Sequence, residues 1–273
     1  MRPIEEIHLY DEGTAPTLET EDVAGYLRLQ TGCSSVSTHG SFALQHCSAD
    51  DRPALGERIA RLKVHDVDAP PTEYEPSYAE IEFERRRLAN DDRGPFGVLY
   101  DGFGFQHVLR ALLPPAEVRL DRAHIVFTNR TIGTWDDNDR RYHLRSIVLG
   151  LPSIVSTAGL VEAPAKPREF YLARQQMGLA ARSELTHALL KQQFKGQFLD
   201  HDDPQLTEVA KGYTMQAVVY QLTGEAFCAD PDCRLFNAHW QAELLRAQLG
   251  AQPQCCARHE ALLAELRRGT LSG

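Results

Sequence analysis

The chain has 273 residues, 42% of them hydrophobic and 25% charged, which is the mix of an ordinary folded protein. That excludes disorder, collagen-like repeats or a coiled coil as the whole answer, and the length suits one large domain or two small ones. Lys and Arg sum to 29 against 38 Asp and Glu, and the net charge of −9 disfavours nonspecific nucleic-acid binding, which depends on neutralising phosphates.

The first residues, MRPIEEIHLYDE, carry acids where a secretion signal needs an apolar core, so a cytoplasmic location is expected. Within the same stretch Ile4 to Tyr10 alternates apolar and polar residues as a strand does. Glu21 to Leu29 and Pro53 to Val64 read as amphipathic helices. A proline-rich connector, Asp68 to Pro76, precedes Ser77 and Glu80, whose spacing is a capping box opening a helix over Tyr78 to Leu88. Arg85, Arg86 and Arg87 read as its solvated face. Phe96 to Tyr100 is expected as a strand, and Phe105 to Leu113 as a helix stopped by Pro114 and Pro115. A soft boundary there divides an N-terminal α/β region, 1–115, from a second region, 116–273.

Ala123 to Thr128 (AHIVFT), Leu144 to Leu149 and Ser153 to Thr157 carry strand signals. Between them, Thr134 to His143 reads as a polar loop. The least polar run, Ser146 to Val161, contains Gly150 and Pro152 and falls short of the roughly 20 residues a membrane helix needs, so no membrane partner is expected. Glu169 to Phe198 reads as a long helix broken at Gly178. The following helix has Asp203 as N-cap, Pro204 in its first turn, an apolar stripe from Leu206 to Tyr220, and Gly224 as a left-handed terminator. Phe236 to Leu249 and Ala257 to Leu266 complete the helices. The expected fold is mixed α/β: a twisted sheet with helices, then a helical C-terminal lobe.

Six cysteines in a chain of this size do not make a disulfide framework, and clustered thiols in a reducing compartment more often hold metal. Cys228 and Cys233 bracket four residues; 22 residues later come Cys256 and His259, which bracket two. Three thiolates and an imidazole make a closed, tetrahedral zinc site, so one structural zinc ion is expected. The second pair opens a helix, where residues three apart share a face. Cys255 is an alternative third ligand. Cys33 and Cys47 have no visible partner.

These motifs resemble the archaemetzincins, zinc metallopeptidases whose signature runs HExxHxxGxxH, then C-x4-C, then CxxC after a further helix. Cys228 and Cys233 match C-x4-C; Cys256 and His259 stand where that family has CxxC, after a longer gap. Leu235 replaces a methionine. The strand pattern RYHLRSIVLGLPSIVSTAGL resembles the region before the active-site helix, and the likeness covers residues 116–273. It implies a metzincin-like topology. Counting back from Cys228, the three zinc-binding histidines fall on Ala217, Gln221 and Phe227, and the catalytic glutamate on Val218; only Gly224 is kept. Ala, Val and Phe neither bind zinc nor move a proton. The stretches VEAPAKPREFY and LFNAHWQAELL are similar to uncharacterised relatives classed with the metallopeptidases. The resemblance therefore implies kinship with a degenerate peptidase centre, and a binding or regulatory module that holds a polypeptide.

The alternative is an active metal-dependent hydrolase with a relocated site. Candidates are His143 with its acidic loop; Glu184 and His187, with His201 to Asp203 downstream; and His239 with Glu243, four apart on one helix face, with Trp240 packed beneath the zinc lobe. Phosphate-loop, dinucleotide and serine-elbow motifs are missing.

Overall fold

The computed structural model describes residues 4–13, 15–89, 97–177, 189–190, 192–250 and 254–269. The fold is mixed α/β. A five-stranded sheet takes β1 (Glu6–Asp11), β2 (Ser35–His39), β4 (Arg122–Thr128), β7 (Ile147–Val148) and β8 (Ser153–Ser156) in the order β2-β1-β4-β8-β7. The first four run parallel, and β7 pairs antiparallel with β8 at the edge. A smaller sheet takes β3 (Leu99–Asp101), β5 (Thr131–Asp136) and β6 (Arg141–Arg145) in the order β3-β5-β6. The large sheet joins strands from both sides of residue 115.

Alternation along the strands decides the two faces. Ile7, Leu9, Ala123, Ile125, Phe127 and Val155 point to one side, against α1 (Thr20–Thr31) and α8 (Leu206–Thr223). Tyr10, Val126 and Ile154 point to the other, against α2 (Phe42–His46), α3 (Arg52–Ala60) and α5 (Gly102–Arg110). The remaining helices are α4 (Tyr78–Ala89), α6 (Thr157–Glu162), α7 (Arg168–Gln176), α9 (Gln241–Leu249) and α10 (Ala257–Arg268). The C-terminal helices share the first core: Leu244 and Leu263 join it, and Arg267 donates to the Gln30 carbonyl at the end of α1.

Several expectations need correction. The polar loop 134–143 is a β-hairpin: Thr134 pairs with His143 and Trp135 with Tyr142, and only the tip turns, with Arg140 at φ 52°. Its exposed polar residues hid the period of two. β2 and α2 were not expected, because SVSTH offers one buried apolar residue, Val36. α8 begins at Leu206 rather than at Pro204; the Asp203 carboxylate accepts from Gln205 N–H and closes the preceding turn. α9 begins at Gln241, not at Phe236. Ala165 N–H donates to the His239 carbonyl and Gln241 N–H to the Ala165 carbonyl, and this extended pairing holds 239–240 out of the helix. Arg87 is not solvated but 7% exposed, bonded to the Asn129 side chain. Of the long helix read over 169–198, α7 is the first part, and residues 178–188 lie outside the described ones. Gly224 does end α8 at φ 79°, and Ser77 and Glu80 do form the reciprocal cap of α4. Among the described residues no helix is long and apolar enough to cross a membrane.

Candidate functional site

The loop after α8 is folded by its own backbone. Cys228 N–H donates to the Leu235 carbonyl, Cys233 N–H to the Asp230 carbonyl, and Asp230 N–H points at Cys228 Sγ at 3.4 Å. Arg234 N–H then donates to the Gln254 carbonyl, which draws the second ligand pair alongside. Cys256 is the N-cap of α10 and His259 sits in its first turn.

One ligand atom each from Cys228, Cys233, Cys256 and His259 lies within 4.8 Å of all the others. Cys228 Sγ is 3.7 Å from Cys256 Sγ; His259 Nδ1 is 3.5 Å from Cys233 Sγ and 3.2 Å from Cys256 Sγ. Bond lengths of about 2.3 Å to sulfur and about 2.0–2.1 Å to nitrogen give tetrahedral edges of about 3.8 Å and about 3.6 Å, so the donor set fits zinc. Cys255 is turned into the core at 2% exposure and is not one of the four. Burial pushes the Cys228 thiol up to about 11, and contact with Cys255, then burial, raises that of Cys233. A divalent ion bound by these ligands takes the place of the thiol protons.

The catalytic candidates fare differently. Glu243 does not share a proton with the His239 ring. Its carboxylate accepts from the backbone N–H of His239 and of Trp240, and so caps α9. His239 is exposed, and Trp240 is 50% exposed instead of packing under the lobe. His143 on β6 contacts Asp139 at 2.9 Å beside Asp136, at the open hairpin tip. The Asp136 carboxylate accepts from Asn138 and Asp139 N–H, which holds its pKa down and commits it to the turn. Glu184 and His187 lie outside the described residues. His201 pairs with Glu162 at 3.6 Å.

On α8, Ala217 and Val218 are 2% and 1% exposed, within the first core. Gln221 donates to the Leu120 and Arg122 carbonyls and anchors the start of β4.

A second polar constellation was missed. His8 and Tyr10 on β1, His39 on β2, His124 on β4 and His46 on α2 gather on the second face of the large sheet. His8 Nδ1 is 3.0 Å from Ser37 Oγ and 3.2 Å from His39 Nε2. Tyr10 Oη lies 3.0 Å from His124 Nδ1 and 3.2 Å from His46 Nε2. Glu117, in the 3-10 turn Pro115–Glu117, lies with Oε2 3.7 Å from His124 Nε2. Burial, then the neighbouring His8, pushes His124 down to about 4; burial likewise lowers His39 and His46. The signal was there to find: a histidine inside the otherwise apolar strand AHIVFT, opposite His8 in register.

No curated protein matches the chain. A solved structure, a zinc-dependent peptidase from Methanocorpusculum labreanum (strain Z), is 14% identical, with 94% of this chain and 99% of that one covered and a TM-score of 0.42. The family described as "Probable metallopeptidase family (DUF6775)" matches from residue 3 to residue 266, nearly end to end, and the chain belongs to it.

Proposed function

We propose that this member of the metallopeptidase family is a zinc-stapled binding module. On this reading one zinc ion is held by Cys228, Cys233, Cys256 and His259, the position of the family's active-site helix no longer carries peptidase chemistry, and an extended polypeptide is the partner. The observation that carries it is the burial of Ala217 and Val218 in the core, with Gln221 bonded to the backbone of β4. The archaemetzincin resemblance assigns those positions to zinc and to the general base. Side chains sealed in a packed core neither hold an open metal nor meet a substrate.

A polypeptide suits the groove beside β7. It is lined by Arg145, Ile147, Tyr213, Gln216, Phe227 and Phe236. β7 is the edge of its sheet, where a peptide strand can add by backbone pairing. Phe227 is 42% exposed, and Gln216 Oε1, though buried, has no hydrogen-bond partner among the described residues. The test is fluorescence anisotropy with labelled unfolded casein and a random peptide pool, followed by gel analysis of the same mixtures. Binding without cleavage, weakened by Phe227→Asp, is expected. Metal-dependent cleavage, or no binding at all, overturns it.

A second reading, a metal-dependent hydrolase centred elsewhere on the chain, draws on the histidine cluster of β1, β2 and β4. It expects peptide cleavage that persists in Phe227→Asp and is lost in His124→Ala.

A further inference from the structure

We propose that His8, His124 and Glu117 form a second metal site, for a divalent transition cation of the zinc class, on the face of the large sheet opposite α8. The claim concerns metal binding alone and does not rest on the polypeptide reading.

Three observations meet here. First, one ligand atom each of His8, Glu117 and His124 lies within 4.8 Å of the other two. Second, His124 Nε2 is fully buried and makes no hydrogen bond among the described residues; the residue is 1% exposed. An unsatisfied buried polar atom costs about 1–3 kcal/mol, so it calls for a partner. Its nearest acidic oxygen, Glu117 Oε2 at 3.7 Å, is too far for a hydrogen bond but close to the roughly 3.3 Å edge of a tetrahedral site with nitrogen and oxygen ligands. Third, each ligand is held from behind. Tyr10 Oη bonds His124 Nδ1 and leaves Nε2 to face the gap. Ser37 Oγ and His39 Nε2 both contact His8 Nδ1, and His8 Nε2 lies 3.2 Å from Glu6 Oε2, a contact that a bound cation would replace. Arg122 takes Glu117 Oε1 at 2.6 Å and leaves Oε2 free to turn inward. Such second contacts fix ring orientation and tautomer in metal sites.

Register explains the convergence. His8 and His124 are directly paired across parallel strands, their rings stacked 4.9 Å apart, and the turn 115–117 lays Glu117 over them. Two imidazoles and a carboxylate bring one ligand atom each within 4.8 Å of the others, and a shared cation would give all three a partner. Two His and one Glu are ligands zinc accepts, and three protein ligands leave a coordination position open, unlike the closed Cys/His set near the C-terminus. Arg122, also 3.1 Å from Glu6, opposes the cation and makes this the weaker of the two sites.

The test is metal content of the full chain after equilibration with Zn²⁺ and desalting. About two zinc ions per chain are expected, one removed by mild chelation without loss of the circular dichroism spectrum. His124→Ala, and separately His8→Gln and Glu117→Gln, each lower the count to about one and leave the thiolate site filled. His8 and Glu117 are more exposed than His124, so their variants still read the site where His124→Ala misfolds. Substitution with Co²⁺ separates the sites: the thiolate site gives an intense near-ultraviolet sulfur-to-cobalt band, and the proposed site adds weaker visible bands that disappear in the His8 and Glu117 variants. A wild-type chain that holds about one zinc, with the same content and cobalt spectrum in all three variants, overturns the proposal.

Discussion

Glu84 on α4 and Arg130, which follows β4, form an ion pair at 2.6 Å with the carboxylate fully buried and the arginine side chain 4% exposed. Tyr100 donates to the other Glu84 oxygen at 2.6 Å, and the guanidinium stacks over the Tyr100 ring. The pair ties α4 to the small sheet. Removing one partner strands a charge in the interior, which costs about 3–5 kcal/mol. Glu84→Ala should lower stability by that much in urea unfolding. A loss below about 1 kcal/mol would mean that water reaches Arg130 and that the pair is surface-like.

Gly159 in α6 and Gly25 in α1 are opposite cases of one substitution. A Cβ at Gly159 would stand 2.2 Å from the Arg145 carbonyl oxygen, which is backbone and cannot swing away. Gly159→Ala therefore forces α6 from the hairpin and is expected to cost about 1–3 kcal/mol. At exposed Gly25 nothing lies within 4 Å, and Ala gains about 0.5–1 kcal/mol by restricting the unfolded chain. Thermal unfolding of the two variants should move in opposite directions.

The contrast marks what the sequence could and could not convey. Ser77 with Glu80, and Gly224, announce helix ends by local chemistry, and the spacing from Cys228 to His259 puts four ligands within reach of one ion. Those signals need no knowledge of the rest of the chain. The Glu84–Arg130 pair spans 46 positions and the Tyr10–His124 contact 114, and nothing local marks either. Glu243 misled for the same reason. Its spacing to His239 suggested a shared proton, but Ala165, from a distant segment, holds His239 out of the helix and turns the carboxylate into a cap.

Glu162, at the end of α6, supplies a pH test. Contact with His201, then the nearby Lys166 ammonium at 3.1 Å, holds its carboxyl at about 2 against the usual 4.5. A depressed carboxylate adds stability above the unfolded value of 4.5, and that stability is lost as pH falls toward 2. The side chain is 44% exposed, so solvent screening limits the effect to below about 1 kcal/mol. Wild type should unfold at a higher temperature than Glu162→Gln near neutral pH, and the gap should close on acidification through that window. A gap that stays constant to about pH 2 would rule out the ion-pair origin.

The thiolate site gives the most discriminating comparison, because Cys255 and Cys256 are neighbours in sequence with opposite environments. Cys256 Sγ faces Cys228 Sγ and His259 Nδ1, whereas Cys255 is buried in the core shared with α1 and α8, with its thiol beside Cys233. Cys256→Ser should release zinc at chelator concentrations that leave wild type loaded. Cys255→Ser should keep the metal and lose only packing, by about 1 kcal/mol or somewhat more. Structural zinc sites contribute on the order of 10–16 kcal/mol in small peptides, as much as the whole stability of a typical domain. Stripping the ion should therefore open the segment it closes. Hydrogen exchange is the direct readout. Amides of α9 and α10 should lose protection on chelation, together with the end of α1 that Arg267 touches, while β1 and β4 hold theirs. Zinc lost in Cys255→Ser but kept in Cys256→Ser would place the third ligand at Cys255, and unchanged protection would mean that packing of Leu244 and Leu263, not the metal, holds the C-terminal helices in place.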